Sequence, residues 1–186
     1  MPAYAGPLRD QPLPIELHNT LYAAARGERV DGIADPAALR AWLAAVAGDL
    51  PVAPQSVDVE RIAEFRMLRD AVRAALRATR DRRPVPSGAR RALNDASAAC
   101  PRSVQLAVDG TRRVRYHADD PTTIVLAAIA HETIALIGSP RARELAVCGA
   151  PGCVLMFLRS HPRRAWCSPA CGNRARQARH YARHRD

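Results

Sequence analysis

The sequence predicts an α+β chain in two parts: a mostly helical domain with one β-hairpin over residues 1–140, and a small treble-clef-like module organised by four cysteines over residues 141–186. Three observations carry that prediction. Apolar residues recur at helical spacing through most of the first 140 residues and alternate at strand spacing in a single stretch around Asp109-Gly110. Four of the five cysteines fall within 24 residues, as two close pairs, Cys148-x4-Cys153 and Cys167-x3-Cys171. Positive charge collects in the same place: residues 141–186 hold 10 arginines against Glu144 and Asp186, a net +8 out of +10 for the chain.

The composition, 48% hydrophobic but only 4% aromatic over 186 residues, allows one domain with a core of Ala, Leu and Val plus the small module. The first dozen residues, with Pro2, Pro7 and Pro12, read as an extended lead-in. Residues 13–22 are mainly apolar, and an Asn in such a segment must find hydrogen-bond partners once buried, so Asn19 is expected to be a structural polar residue that ties down nearby backbone. Residues 27–35 read as a polar loop. Asp35-Pro36 then opens a helix as N-cap and first residue, with Leu39, Trp42, Leu43 and Val46 on its apolar face.

A longer helix runs from about residue 58 to 80, burying Ile62, Phe65, Leu68, Val72 and Leu76 and turning Arg61, Glu64, Arg73, Arg77 and Arg80 outward as a solvated face with local pairs. A shorter helix is expected over 88–99, and Cys100 reads as a buried small hydrophobe. Residues 103–108 and 112–116 form a hairpin about Asp109-Gly110, and it should pack on the helices because two strands alone are marginal. Asp120-Pro121 caps a helix that is apolar almost all round to Ile137, as befits the centre of the domain. His131 and Glu132 lie on that helix with no second acid or His-x3-His spacing and read as packing residues. Residues 141–147 are too short a connection for a free tether, so the module should dock on the domain.

Two close cysteine pairs separated by 13 residues have the spacing of a structural zinc site, each pair closing a short loop on one metal. Disulfides would need an oxidising compartment, and the N-terminal residues do not read as a signal peptide, so a cytoplasmic setting is expected. No apolar run approaches the roughly 20 residues that span a membrane. Four thiolates, from Cys148, Cys153, Cys167 and Cys171, fill a tetrahedron around Zn²⁺ and leave no position for a catalytic water. Between the pairs, residues 154–158 read as a strand, 159–162 as a turn and 163–166 as a returning strand. His161 reads as a turn residue, not a ligand. Ser168 as N-cap and Pro169 as first residue place Cys171 in the first turn of a helix reaching Arg185.

On a helical wheel Cys171, Ala175, Ala178 and Ala182 make a narrow face of small side chains suited to packing on the hairpin. Arg176, Arg179 and Arg183 line one flank, and Arg174, Tyr181 and Arg185 the other. All 28 basic residues are arginine, a general bias, but the asymmetry of net charge does not depend on it. Candidates for nucleic-acid contact are Arg163, Arg164, Arg174, Arg176, Arg179 and Arg183, with Asn173 as a further structural polar residue.

The Cys148-x4-Cys153 pair, the Leu155-Met-Phe157 run, the Arg163-Arg-Ala-Trp-Cys167 return and the tetrapeptide Cys171-Gly172-Asn173-Arg174 together resemble the CGNR zinc finger of bacterial stress-induced transcription regulators, over about residues 145–186. The turn departs from that family, with Leu158-Arg-Ser-His-Pro162 in place of an Asp followed by Ser-Arg and a glycine-type turn. In the same family the partner domain, of ABATE type, opens with an apolar segment that contains an acid and ends in Asn-Thr. Ile15-Glu16-Leu17-His18-Asn19-Thr20 is similar, with His18 where an apolar residue is usual.

The resemblance implies a DNA-binding transcription regulator; the residues themselves support zinc and a basic surface. Two alternatives stand beside it: a zinc-dependent protein–protein adaptor, and an RNA-binding module, for which Phe157, Trp166 and Tyr181 offer few rings for stacking. An enzyme is not expected, since the metal site is closed and neither a glycine-rich phosphate loop nor a nucleophile motif is present. The first domain is left to form a homodimer, to sense a small molecule or to recruit a protein effector.

Overall fold

The computed structural model describes residues 3–7, 10–24 and 28–183; Pro2, Gly27 and Arg185, which enter the expectations above, lie outside them. The elements in chain order are α1 (Leu13–His18), β1 (Leu21–Ala23), β2 (Arg29–Asp31), α2 (Pro36–Ala45), α3 (Ile62–Arg80), α4 (Ser87–Ala99), β3 (Arg102–Leu106), β4 (Arg112–Tyr116), α5 (Pro121–Ile137), β5 (Leu145–Val147), β6 (Met156–Leu158) and α6 (Pro169–Arg183). Each sheet is a two-stranded antiparallel pair: β1 with β2, β3 with β4, β5 with β6. No described helix is long and apolar enough to cross a membrane.

Helix starts follow the local chemistry. Asp35 accepts from the Ala38 amide at 2.8 Å ahead of Pro36, and Asp120 accepts from the Thr122 and Thr123 amides ahead of Pro121. Each cap satisfies amides that no intrahelical carbonyl can reach. The apolar faces then close one core in which Trp42, Phe65, Leu76 and Ile129 are completely buried. Helix α1, only six residues long, is buried on every side and packs on α3, α5 and β6. Cys100 is fully buried, in line with a small core side chain.

Three local expectations are corrected. Part of the polar loop expected over 27–35 is the strand β2, which pairs with β1 through Tyr22 and Val30. Strands of three residues are too short for an alternating pattern to show; what fixes this one is the guanidinium of Arg69, 3% exposed on α3, whose NH2 donates to Asp31 Oδ2 at 3.0 Å. Burial works against the Asp31 carboxylate, but hydrogen bonds from Arg69 and the Ile33 amide hold it below its ordinary value. Second, the β3–β4 hairpin turns at Asp109-Gly110 as expected but does not lie on the helices: Val104 is 60% and Leu106 81% exposed. Only its base is held, where Tyr116 stands 6.2 Å from the ring of His131.

The third correction concerns the module. The strand over 154–158 exists as β6, but residues 163–166 do not return beside it; β6 pairs instead with β5, in the register Leu145 with Leu158 and Val147 with Met156. The far edge of β6 is already taken. Asn19 Nδ2 donates to the Met156 carbonyl at 3.0 Å, and its Oδ1 accepts from the Met156 amide at 2.9 Å. Two residues along, the Leu158 amide donates to Gln11 Oε1 at 2.7 Å. A primary amide that both donates and accepts imitates a neighbouring strand, so the side chains of Gln11 and Asn19 stand where residues 163–166 were expected. Met156, Leu158 and Leu145 accordingly belong to the same buried cluster as Phe65 and Ile129.

The Asn19 bonds also fix a tautomer. Its Oδ1 is an acceptor, so His18 Nδ1, 3.2 Å away, must carry the proton, and the buried Nε2 is left without a hydrogen-bond partner among the described residues. Burial, then the facing Arg73, hold His18 at about 3; Arg77 and Arg80 add to the effect and the Asn19 bond partly relieves it.

Replacing Asn19 by Ala should cost about 2–4 kcal/mol in urea unfolding, because two buried backbone groups of Met156 lose their partners. A cost of about 0.5 kcal/mol or less, the range of a surface substitution, would refute the clamp. Protonation makes a second expectation. Between pH 6.5 and about 3 the unfolded chain binds a proton on His18 that the folded chain refuses, so stability is complete above 6.5 and falls as the pH drops through that window. His131, also lowered by burial, acts in the same direction. Urea midpoints for wild type and His18→Gln, taken from pH 7 down to about 4.5, should show the shallower fall in the variant; parallel curves would exclude His18 as the main titrating group.

Candidate metal centre and basic helix

The two cysteine pairs reach one point by different local means. Cys148 follows β5 and extends its ladder, its amide donating to the Leu155 carbonyl at 2.9 Å. The chain then turns back to Cys153 through Gly152, whose φ of 72° is left-handed and costs a glycine nothing. The second pair arrives with the N-terminus of α6: the Cys171 amide donates to Ser168 Oγ at 3.3 Å, so Cys171 sits in the first turn, behind the cap, as expected. A bond of 3.0 Å from the Gly149 amide to the Ala165 carbonyl ties the two loops together.

All four Sγ atoms lie within 4.8 Å of one another, with Cys153 to Cys167 at 3.9 Å and Cys167 to Cys171 at 3.5 Å. Zinc–sulfur bonds of about 2.3 Å in a tetrahedron separate the sulfurs by about 3.8 Å, so the donor set fits the ion in both chemistry and size. The Cys167 sulfur beside Cys153, and then burial, push that thiol up; burial likewise pushes up Cys171. Four thiolates this close need a cation at their centre. Cys148, Cys153, Cys167 and Cys171 would hold Zn²⁺, which would supply two positive charges and tie the β5–β6 hairpin to α6. His161 is not among the clustered ligands; its ring accepts from the Arg163 amide at 3.1 Å within the turn.

A dianionic tetrathiolate centre asks for donors around it. The Cys167 amide points at Cys148 Sγ at 3.4 Å, and Arg174 NH2 at Cys171 Sγ at 3.3 Å. Arg164 is engaged in the same shell: its Nε and NH2 donate to the carbonyls of Trp166 and Cys167 at 3.2 and 3.0 Å, and its guanidinium lies 4.8 Å over the Phe157 ring. Gly172 permits the last close contact, since a Cβ there would stand 3.3 Å from Trp166 Cε3. Arg174 closes the Cys171-Gly172-Asn173-Arg174 tetrapeptide, but nothing in the helical wheel or the charge count separates it or Arg164 from the other arginines of the finger; their hydrogen bonds do.

The remaining arginines face outward. Arg163 is exposed with no carboxylate in reach among the described residues, and Arg176 donates to Asn173 Oδ1, which is itself exposed. Arg179 lies 6.0 Å over Trp166 and donates to the Ala175 carbonyl, while Arg183 donates to the Arg179 carbonyl, each at 3.3 Å. The expected inner face of α6 holds only in part: Cys171 and Ala175 are buried, whereas Ala178 and Ala182 are exposed. Among the described residues nothing buries the helix beyond Ala175. With Ala, Arg, Gln, His and Tyr as its side chains, it has no apolar stripe with which to fold back.

Comparison with known families gives two matches. The model described as ABATE, putative stress-induced transcription regulator, matches residues 11–140, and that of the CGNR zinc finger matches residues 144–184. Both are of regulator and zinc-finger type, not enzymes. No curated protein matches the chain.

Cys167→Ala should abolish stoichiometric zinc, read by metal analysis of the purified protein, and should lower its melting temperature, since Leu145, Met156 and Leu158 are core residues of the whole molecule. A variant that kept one zinc per chain would remove Cys167 from the ligand set.

Proposed function

The chain belongs to the ABATE family and ends in a CGNR zinc finger, and we propose that it is a DNA-binding transcription regulator that meets the duplex with the outer half of α6. The observation that carries this reading is the bareness of that half-helix. From Arg176 to Arg183 every residue is exposed, three are arginine, and none of these three arginines has a carboxylate within ion-pair distance among the described residues. A helix must be uncovered on all sides to enter a major groove about 12 Å wide, and guanidinium forks match both phosphate oxygens and guanine edges. Zinc acts at a distance from the DNA: it fixes the first turn of α6 against the hairpin, and the exposed turns take their direction from it. In this reading Arg163, Arg176, Arg179 and Arg183 touch nucleic acid, while Arg164 and Arg174 hold the finger.

The aromatic residues favour duplex over single strands. Phe157 is buried and Trp166 half-buried, which leaves Tyr181 as the exposed ring of the finger, 70% accessible. Stacking on unpaired bases uses several such rings. A second reading, as a protein–protein adaptor, has one observation in its favour: the β3–β4 hairpin presents Val104 and Leu106 to solvent, and exposed apolar side chains in a row suit a protein surface. The ABATE domain is the natural place for an effector, whether a small molecule, a protein or a second copy of the chain.

Selection from a randomised duplex pool by the zinc-loaded protein at two salt concentrations should enrich a motif that survives the higher salt. Replacing Arg176, Arg179 and Arg183 together by Gln should leave zinc content unchanged and reduce the slope of log K against log salt by about 3, roughly 0.9 per lost phosphate contact. Unchanged binding would remove α6 from the footprint. Binding that vanishes at the higher salt with no enriched motif would transfer the case to the adaptor reading.

A further inference from the structure

Where the finger meets the end of α3 there is an open cleft of about 470 Å³. Arg80 and Arg82 line it from the end of α3, Arg143 from the turn before β5 and Arg159 from the residue after β6, over a floor that includes Ala146 and Val147. The two acids nearest in sequence are already engaged. Asp81 is held between Arg80 and Arg83 at 2.6 and 2.8 Å, and Glu144 lies 3.6 Å from Arg141. Arg82, Arg143 and Arg159 have no carboxylate within ion-pair distance among the described residues.

Arg82 adds an independent observation. Its amide donates to the Thr79 carbonyl at 3.0 Å, and the Arg83 amide donates to the Ala78 carbonyl at 2.8 Å. Those two bonds make the Schellman termination of α3 with Arg82 as the residue past the cap, where glycine is usual. Its φ of 55° is left-handed, a conformation that an arginine adopts at a cost and a glycine does not. A long cationic side chain is thus kept at a glycine position, and it lines the cleft. Such local strain is commonly held where a side chain has work to do.

We propose that this junction cleft is a phosphate-binding site. Arg82, Arg143 and Arg159, without carboxylate partners among the described residues, and Arg80, shared with Asp81, bring positive charge from three segments to one concavity, where an anion with several acceptor oxygens can take forked hydrogen bonds. Phosphate reaches such a site from two sources: the backbone of a duplex that continues past α6, or a free polyphosphate. For the first source the inference rests on the reading of α6 given above; for the second it does not.

The test uses the zinc-loaded full chain, with Arg143→Gln/Arg159→Gln as one variant and Arg82→Gly as the other. Two probes are titrated, a random-sequence DNA duplex over a salt series and inorganic pyrophosphate by calorimetry. If the source is duplex, the double variant lowers the slope of log K against log salt by about 2 and Arg82→Gly by about 1. If the source is free anion, the duplex slope is unchanged and pyrophosphate binding weakens at least about tenfold in both variants. In either case Arg82→Gly melts no lower than wild type, because it relieves a strained backbone, and this separates lost contact from lost fold. Both variants binding both probes as wild type does would overturn the proposal. The Arg176, Arg179 and Arg183 variant, run in the same salt series, keeps the two readings apart: a slope lost there, with slope and pyrophosphate binding both kept in the cleft variants, refutes the cleft alone, and a slope lost in the cleft variants but kept there refutes α6 alone.

Discussion

A three-residue strand has two edges, and in β6 only one of them faces another strand. Everything about the placement of the finger follows from how the other edge is satisfied. The amide of Asn19 bonds both the N–H and the C=O of Met156, and Gln11 takes the N–H of Leu158. A buried strand edge without partners would cost several kcal/mol, so these two side chains decide whether β6 can be buried at all. Once it is buried, Met156 and Leu158 enter the core of the helical domain, and the zinc ligands that flank the strand are fixed relative to α1 and α3. The finger is therefore a continuation of the domain's packing and not a bead on a tether.

The charge of the finger divides in the same physical way. Arginines near the cysteines have acceptors to bond: Arg174 a sulfur, Arg164 two carbonyls and an aromatic face. Arginines farther along α6 have their own helix, a surface asparagine and, for Arg179, the face of Trp166. The first group offsets the negative charge that four thiolates retain after zinc binds, and the second leaves an uncompensated positive surface. A net charge of +8 over 46 residues thus conceals two populations with different duties.

Much of this was legible in the sequence wherever the determining interaction is local. Cysteine spacing announced the metal site, Ser168-Pro169 the start of α6, Asp35-Pro36 and Asp120-Pro121 two further helices, and Asp109-Gly110 the turn of the exposed hairpin. What could not be read depends on residues distant in the chain. That β6 pairs with β5 and not with residues 163–166 is decided by Asn19, 137 positions from Met156. Asn19 itself stood out as a polar residue in an apolar segment, but its partner did not. Arg69 is invisible as a buried residue because its mate, Asp31, lies in a strand too short to show a pattern. The helical wheel of α6 failed at Ala178 and Ala182 for a related reason: periodicity states which residues share a face, not how far the neighbouring surface extends.

The clamp on β6 also constrains the order in which the molecule can be completed. Asn19 leaves the ribosome 137 residues before Met156 of the strand it holds, and Gln11 earlier still. At roughly 5–20 residues per second, synthesis of the intervening chain takes on the order of ten seconds. During that time α1 can assemble with α3 and α5, but the amide of Asn19 has no strand to bond and one side of the growing core stays wet. The segment that carries Gln11 and Asn19 is thus made well before its partner and completed only when β6 arrives, and a nascent chain stalled before β6 carries an open apolar seam where Met156 and Leu158 will later lie.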